Sequence, residues 1–187
     1  MALAVSKPRH PALVRLLHWS YATAVLAGIW SGLYIADPGR SLGFRTMDQA
    51  KATHRLAMYL LIGSYLARVY YGYATGDYRQ VLLDRQAVRE MPGFVKYELF
   101  LTGRKPKFPK YNPGQKALFT TWLLLLPLQI VTGLALHAAR AKRAGLGRVR
   151  QWHYLFSLPL ASLAAGHIYL ALTDSLRKLK SIFTGRE

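Results

Sequence analysis

Six histidines are the side chains whose type and spacing best suit chemistry in this chain of 187 residues. The chain has no Cys and only eight Asp and Glu residues. The sequence therefore excludes a thiolate zinc site, an iron–sulfur cluster and a covalently attached c-type haem. Imidazole nitrogens are common metal ligands, so the histidines are the candidates for holding a metal.

Two of these residues, His153 and His167, are 14 positions apart. In an α-helix this spacing places them about 21 Å apart along the axis and within about 40° of the same face. One helix would then present two imidazoles in the same direction, one near each end. Arg68 follows His54 at the same interval, so we expect Arg68 on the face of its helix that carries His54.

Four apolar segments are available to position these side chains. They are residues 16–36, 56–75, 117–139 and 151–173, and only the second contains a charged residue, Arg68. A helix needs about 20 apolar residues to cross the bilayer core. The sequence therefore predicts an all-α membrane four-helix bundle that forms a single domain over residues 1–187. A signal peptide is the alternative for the first segment, but its length and the lack of a clear small-residue cleavage site argue against it.

The basic residues flank these segments and do not form one patch. Lys and Arg number 26 against eight acidic residues, which gives a net charge of +18, yet 52% of the residues are apolar. This distribution argues against nucleic-acid binding. Sixteen basic residues lie in the two terminal segments and the 76–116 connection, against nine on the opposite side. The excess predicts that both termini and the 76–116 connection are cytoplasmic. The stretch Tyr78 to Met91 has the spacing of an amphipathic helix at the membrane interface.

The topology of four spans pairs four of the histidines by depth. His18 begins the first span on the cytoplasmic side, and His54 begins the second span on the outer side. In the fourth span, His153 is expected on the outer side and His167 on the inner side. We therefore expect His18 with His167, and His54 with His153. Two such pairs predict bis-imidazole ligation of two b-type haems, and four unrelated buried histidines are the alternative.

Four arginines lie where they suit haem propionates. They are Arg15, Arg55, Arg68 and Arg150. Three of them lie close in sequence to a predicted ligand, but ordinary positive flanks of membrane spans explain these three equally well. Arg68 is expected at the depth of the inner haem, where a buried guanidinium needs an anion such as a propionate or a group of a quinone site.

Several segments of the chain resemble a known family. They are Arg15-Leu-Leu-His18-Trp19, His54-Arg55, Ala67-Arg68-Val-Tyr-Tyr, Gly166-His167-Ile-Tyr-Leu-Ala-Leu, Lys96-Tyr-Glu-Leu-Phe-Leu-Thr-Gly-Arg-Lys-Pro and Tyr111-Asn-Pro-Gly-Gln-Lys116. Together they resemble the cytochrome b subunit of membrane-bound nickel–iron hydrogenases. The wider group includes bacterial cytochrome b561 and the gamma subunit of formate dehydrogenase.

The resemblance implies two haem b groups and electron transfer in a prokaryotic inner membrane. The chain would pass electrons between the catalytic and iron–sulfur subunits of an oxidoreductase and the quinone pool, and it would not be catalytic alone. The resemblance also implies a quinone pocket near His167, with the candidate residues Asn112, Gly114, Gln115 and Lys116. A turn followed by a helix start is the alternative explanation for the Asn-Pro-Gly run in this segment.

Three functions remain open on the sequence. The first is the subunit described above, whose catalytic partner is left undefined because the outer connections at residues 37–51 and 140–150 are short. The second is a stand-alone cytochrome b561-type quinone reductase that uses a small electron donor. That family typically carries a His at the start of the third span, but residues 114–122 contain none. The third is a transporter or anchor without a cofactor.

Overall fold

The computed structural model describes residues 9–40, 42–139 and 145–186, and these form helices and turns without a strand. The helices are α1 (Ala12–Ala36), α2 (Met47–Thr75), α3 (Tyr78–Val81), α4 (Arg85–Glu98), α5 (Pro113–Ala138), α6 (Gly147–Asp174) and α7 (Leu176–Thr184). The prediction of an all-α protein is confirmed. The chain divides into two compact units, one made of the residues up to Tyr70 and from Ala171 onward, the other of residues 71–170.

The four long helices end where the apolar segments end, but they begin earlier. The carboxyl ends of α1, α2, α5 and α6 lie within one residue of the predicted span ends, whereas α2 begins at Met47 and not at residue 56. The predicted spans started after the last charged residue. A helix continues through such residues where its backbone bonds can form, as α2 does through Lys51 and Arg55.

Three of these helices, α1, α5 and α6, are long and apolar enough to cross a membrane among the described residues. Large apolar side chains such as Leu26, Leu124 and Leu158 are exposed on them, as expected for helices that face lipid. Helix α2 has 29 residues, but Arg68 and four tyrosines make its carboxyl-terminal half less apolar. The protein is thus a helical membrane protein, and a fourth span formed by α2 stays a prediction.

In the first unit, α1 and α2 form an antiparallel pair, because Ser31 meets His54 near one end and Tyr21 interacts with Tyr65 near the other. We call this pair the first hairpin (α1 and residues 47–70 of α2). The connection between them folds back so that the Phe44 ring lies 4.4 Å from the Trp30 ring. Helix α7 lies beside the start of α1, where Trp19 Nε1 donates to the carbonyl of Ile182 at 3.3 Å. Gly185 ends α7 with a φ of 82°, a left-handed conformation that glycine adopts without strain.

In the second unit, α3 and α4 pack against α5. The stretch predicted as one amphipathic helix is divided between α3 and α4, because the Asp84 carboxylate accepts the N–H of Ala87 at 2.7 Å and so begins a new helix. Helices α5 and α6 form a second antiparallel pair, the second hairpin (α5 and residues 147–170 of α6). Residues 140–144 of the predicted outer connection (140–150) lie outside the described residues.

Candidate functional site

His54 lies in the second turn of α2 and packs against α1 within the first hairpin. Its Nδ1 is 3.1 Å from the carbonyl oxygen of Gly28 and 3.0 Å from Ser31 Oγ. Ser31 is completely buried, so this hydrogen-bonded corner excludes water. The start of α2 is therefore joined to the end of α1 through the imidazole of a predicted ligand.

His153 occupies the corresponding place in the second hairpin, in the second turn of α6. Its Nδ1 is 3.0 Å from Thr132 Oγ1 of α5, and its Nε2 is 3.2 Å from the Gln129 side-chain nitrogen. The two histidines are thus held by the same kind of neighbour, a hydroxyl group on the preceding long helix.

A glycine lies against each of these two rings. A Cβ atom on Gly32 would come within 3.4 Å of His54 Cε1, and a Cβ on Gly133 within 3.2 Å of His153 Cε1. A Cβ on Gly133 would be closer than most real Cβ contacts and would push on the imidazole, whereas a Cβ on Gly32 would lie at the edge of ordinary van der Waals contact. The two glycines therefore leave the space that each ring occupies.

The other two predicted ligands lie at the opposite ends of the hairpins. His18, in α1, is half-buried and meets Trp19 edge-on at 5.2 Å. His167, in α6, is half-buried and lies beside two rings of α5, Phe119 at 5.6 Å and Trp122 at 6.2 Å. Each of these imidazoles has an aromatic neighbour, whereas His54 and His153 have polar ones.

The separation of the two histidines is the same in each hairpin. His54 is level with Ser31, which follows His18 by 13 residues, about 20 Å along α1. In the second hairpin, the 14 residues from His153 to His167 give about 21 Å along α6. Each hairpin, taken by itself, therefore presents two imidazoles separated by most of the thickness of a bilayer core.

The four candidate arginines differ in their surroundings. Arg15 donates from Nη1 to the carbonyl of Phe183, the penultimate residue of α7. Arg55 and Arg68 are half-buried within α2, and Arg150 is exposed in the first turn of α6. The contact made by Arg15 suits a cation at a helix carboxyl end.

The residues predicted to surround a quinone begin α5. Asn112 Oδ1 accepts the N–H of Gln115 at 2.8 Å, and Gln115 Oε1 accepts the N–H of Asn112 at 3.1 Å. Both side chains are buried and form a reciprocal capping box. Lys116 Nζ lies 2.6 Å from the Asp84 carboxylate. The contact with Lys116 lowers the pKa of the Asp84 carboxyl, and the hydrogen bond from the backbone N–H of Ala87 is a smaller cause in the same direction.

An apolar groove of about 310 Å³ lies between the amino end of α5 and the carboxyl half of α6. Gly114, Leu118 and Thr121 line it from α5, and Gly166 and Tyr169 line it from α6. Gly114 is the one predicted quinone-site residue that lines this groove. The next residue in α6 after Gly166 is His167, so the groove adjoins a predicted haem ligand.

Three neighbours of the predicted ligand histidines were not predicted from the sequence: Ser31, Gln129 and Thr132. A repeated pattern was the available signal, because Gly28-Ile-Trp-Ser-Gly32 and Gln129-Ile-Val-Thr-Gly133 share Ile, a hydroxyl residue and Gly in the same order. The pattern is short and apolar, so its meaning becomes clear only when the histidine of the next helix is placed against it.

The donor set fits haem better than it fits an isolated metal ion. Among the described residues no group of three or more His, Cys, Asp or Glu side chains is placed to hold a metal ion. Bis-imidazole haem needs two histidines, since the porphyrin supplies the other four nitrogens. The imidazoles held beside glycine in the two hairpins are compatible with this kind of ligation.

Apolar helices in antiparallel pairs, with histidines at both ends and no thiolate, define the class of helical membrane haem proteins. Comparison with known families agrees. Residues 9–185 match the family described as prokaryotic cytochrome b561, and the chain belongs to this family. Membership implies that the protein binds haem b and takes part in electron transfer.

The chain is also similar to proteins described as probable Ni/Fe-hydrogenase B-type cytochrome subunits. The relative from Azotobacter vinelandii is 26% identical, over 94% of this chain and 84% of its own length. The relative from Cupriavidus necator is 23% identical, over 92% of this chain and 82% of its own length. The resemblance noted in the sequence is thus confirmed over nearly the whole chain.

Proposed function

We propose that the protein is a di-haem cytochrome b subunit that passes electrons between a hydrogenase-type catalytic partner and the quinone pool. One observation carries the proposal. Each hairpin holds two imidazoles about 20 Å apart along its axis, as two haems near opposite membrane surfaces require. Family membership supplies the cofactor type, and the matched spacing favours two haems over one.

The four histidines are assigned as axial ligands in two pairs. His54 and His153 bind one haem iron, and His18 and His167 bind the other. The assignment is supported by the similar surroundings of the first two rings, which lie against a hydroxyl and a glycine. Bound haem supplies one-electron redox chemistry, and the chain holds, orients and shields the imidazoles.

The arginines differ in their fitness for haem propionates. Arg55 and Arg68 are half-buried in α2, where a guanidinium is stabilised by a nearby anion. Arg150 lies one turn before His153 and is exposed, so a propionate would have to extend toward the helix start to meet it. Arg15 would have to bind a propionate while its Nη1 also donates to the carbonyl of Phe183 in α7.

A quinone-reactive site is proposed at the apolar groove beside His167. An isoprenoid quinone has an apolar body, which suits the Leu118 and Gly166 walls of the groove. Asn112 and Gln115 use their amide oxygens in the capping box, so their contribution to a quinone carbonyl would come from amide N–H groups. Lys116 is held by Asp84 and adds positive charge near the same helix start.

The catalytic partner is proposed from the relatives, which are described as hydrogenase cytochrome subunits. Such a partner would include iron–sulfur subunits and would meet the side of the membrane opposite the termini. The basic residues support this orientation, with 16 on the proposed cytoplasmic side and nine on the other. In this arrangement α2 is the fourth span of a prokaryotic inner-membrane protein.

The proposal is tested by purifying the protein in mild detergent with its partners. We expect two haem b per chain from a pyridine haemochrome assay and a low-spin bis-histidine spectrum. Large hydrogenase-type and iron–sulfur subunits should copurify. Haem-free protein would overturn the cytochrome assignment, and a solitary protein that alone reduces quinone from a small donor would replace the subunit function with the stand-alone reductase.

The quinone site is tested with a substitution at Gln115 that leaves the capping box in place. Gln115→Glu keeps the oxygen that accepts the Asn112 N–H, and so it keeps the capping box, but it removes the amide N–H group. We expect this variant to reduce quinone more slowly with both haems retained. A rate equal to that of the unmodified protein would exclude the Gln115 amide as a quinone ligand.

A further inference from the structure

We infer that Ser31 and Thr132 are positioning residues whose hydroxyls accept the Nδ1–H of His54 and His153, leaving Nε2 of each ring to bind iron. The inference rests on the proposed haem function and adds the residues that set the orientation and tautomer of two ligands. Neither hydroxyl is itself a ligand, and each acts through the imidazole that it holds.

The hydrogen bonds in the first hairpin fix the position of the His54 proton. Ser31 Oγ lies 2.6 Å from the carbonyl of Ala27, which can only accept, so the hydroxyl hydrogen points there. At the 3.0 Å contact with Ser31 Oγ, the imidazole must then be the donor. The carbonyl of Gly28, 3.1 Å from the same nitrogen, also requires a hydrogen on Nδ1. The neutral ring therefore keeps its lone pair on Nε2.

Two separate contacts give the same answer for His153. Thr132 Oγ1 lies 2.9 Å from the carbonyl of Leu128 and uses its hydrogen there, so it accepts from His153 Nδ1 at 3.0 Å. On the other side of the ring, the Gln129 amide N–H group is a donor at 3.2 Å from Nε2. It needs a lone pair on that nitrogen. Both ring nitrogens thus indicate the tautomer whose Nε2 lone pair, which accepts from Gln129 here, would bind iron in place of that amide.

The arrangement occurs twice, in helices of different units. In each case a hydroxyl residue and the glycine after it face the histidine of the next helix. Helix packing alone explains the glycines, but it does not require a hydroxyl in front of Nδ1. Ser64 is the contrasting case. This buried serine also donates to the carbonyl four residues earlier, at 2.7 Å, but its hydrogen bonds involve no histidine.

A hydrogen bond to the distal nitrogen of a ligand histidine fixes the ring plane and makes the imidazole a better electron donor. A stronger donor stabilises the oxidised iron. Loss of the acceptor should therefore raise the midpoint potential of that haem and weaken haem retention, by about 10- to 100-fold in affinity for partners of this type. The effect should concern one haem, because both hydroxyls act on the same proposed ligand pair.

The test is a redox titration of the haem-loaded protein carrying Thr132→Val or Ser31→Ala. Thr132→Val keeps the shape of the side chain and removes the acceptor. We expect the same one of the two midpoint potentials to rise in both variants, with faster transfer of that haem to apomyoglobin. The shift should be smaller in Ser31→Ala, because the Gly28 carbonyl remains as an acceptor for His54. Thr132→Ser restores the hydroxyl and should restore the potential.

Ser64→Ala is the matched control for Ser31→Ala, since both remove a buried hydroxyl bonded to the preceding turn, and its potentials should stay unchanged. Potentials in Thr132→Val and Ser31→Ala equal to those of the unmodified protein would overturn the inference, even with two haems bound. Unmodified protein without bis-histidine haem would instead overturn the proposed function, so the two failures are distinguishable.

Discussion

The two hairpins hold one histidine in the same way and the other in different ways. His54 and His153 each lie in the second turn of a helix, with Nδ1 at 3.0 Å from a hydroxyl of the preceding long helix. The second histidine is His18 in α1 of the first hairpin, but His167 in α6 of the second. The similar pair, His54 and His153, and the differing pair, His18 and His167, lie at opposite ends of the two hairpins.

Counting residues makes the divergence specific. Thirteen positions before Ser31 is His18, whereas 13 positions before Thr132 is Phe119. Fourteen positions after His54 is Arg68, whereas 14 positions after His153 is His167. The two hairpins therefore support His54 and His153, one proposed ligand pair, in the same way. The other proposed pair, His18 and His167, lies on the first helix of one hairpin and on the second helix of the other. At this end an arginine and a phenylalanine occupy the equivalent positions.

The largest effects are expected from replacing the four proposed ligands, because each hairpin contributes one histidine to each proposed haem. His54→Ala or His153→Ala should remove the same haem, and His18→Ala or His167→Ala the other, so that each variant keeps about half of the haem. Haem content and the remaining midpoint potential measure this. His137→Ala, at the end of α5, serves as the control that keeps both haems. Loss of both haems from every folded single variant would show that the sites are not independent.

The next effect concerns the contact between α4 and the start of α5. A Cβ on Gly114 would lie 2.5 Å from two atoms of the Phe94 ring and 3.2 Å from Leu170 Cδ1. Gly114→Ala should therefore displace α4 from α5 and cost about 1–3 kcal/mol of unfolding free energy. Thermal unfolding in detergent measures it. Gly93→Ala, where nothing lies within 4 Å, is the control, and an equal loss in both variants would contradict the packing argument.

A smaller effect separates the two glycines that face the repeated histidines. Gly133→Ala would place Cβ 3.2 Å from His153, closer than the 3.4 Å between the Gly32 position and His54. We expect Gly133→Ala to lower stability by about 1 kcal/mol and to shift the haem potential more than Gly32→Ala does. Gly63→Ala has open space and should be neutral or stabilising by up to about 1 kcal/mol. Equal stabilities and equal haem potentials in the three variants would show that the close contact with the imidazole has no effect on either property.

The sequence predicts the parts of this molecule that depend on long patterns. Apolar segments with at most one charged residue extend to the ends of the four long helices, so these carboxyl ends were predicted within one residue. The amino ends were not, because α2 continues through Lys51 and Arg55. Asp84 begins a new helix with a single capping bond, and such a local event is hidden within the amphipathic spacing of residues 78–91.

In the candidate site, too, the long-range spacing was predictable from the sequence and the local contacts were not. The histidines were recognised because their interval of 14 residues corresponds to a helix face. Ser31 and Thr132 were not, because serine and threonine occur widely in membrane helices and gain meaning only from a neighbour 21 or 23 residues away. Arg15 was predicted beside a haem propionate, and the structure places its Nη1 on the Phe183 carbonyl. Contacts between distant segments were not readable from spacing alone.

The smallest expected effect contrasts the two helices that cover the hairpin starts. Helix α7 is held at the start of α1 by donors to backbone carbonyls, from Arg15 and Trp19, and its Lys178–Asp174 ion pair lies at the opposite end of the helix. Helix α4 is held at the start of α5 by the Asp84–Lys116 ion pair, which lowers the pKa of the Asp84 carboxyl. A lowered folded-state pKa means that this stabilisation is complete above the ordinary value of about 4 and is lost as pH falls through the folded-state pKa.

Acid should therefore loosen α4 and leave α7 in place, by at most about 1 kcal/mol because the carboxylate is partly exposed. The chain has no cysteine, so Val88→Cys on α4 and, in a second protein, Thr184→Cys at the end of α7 that contacts α1 provide single sites for a fluorine label read by NMR. The α4 signal should change below pH 4 and the α7 signal should not. Asp84→Asn should abolish the acid step at α4, because the amide that it introduces cannot titrate. A step that persists in this variant would assign it to another group.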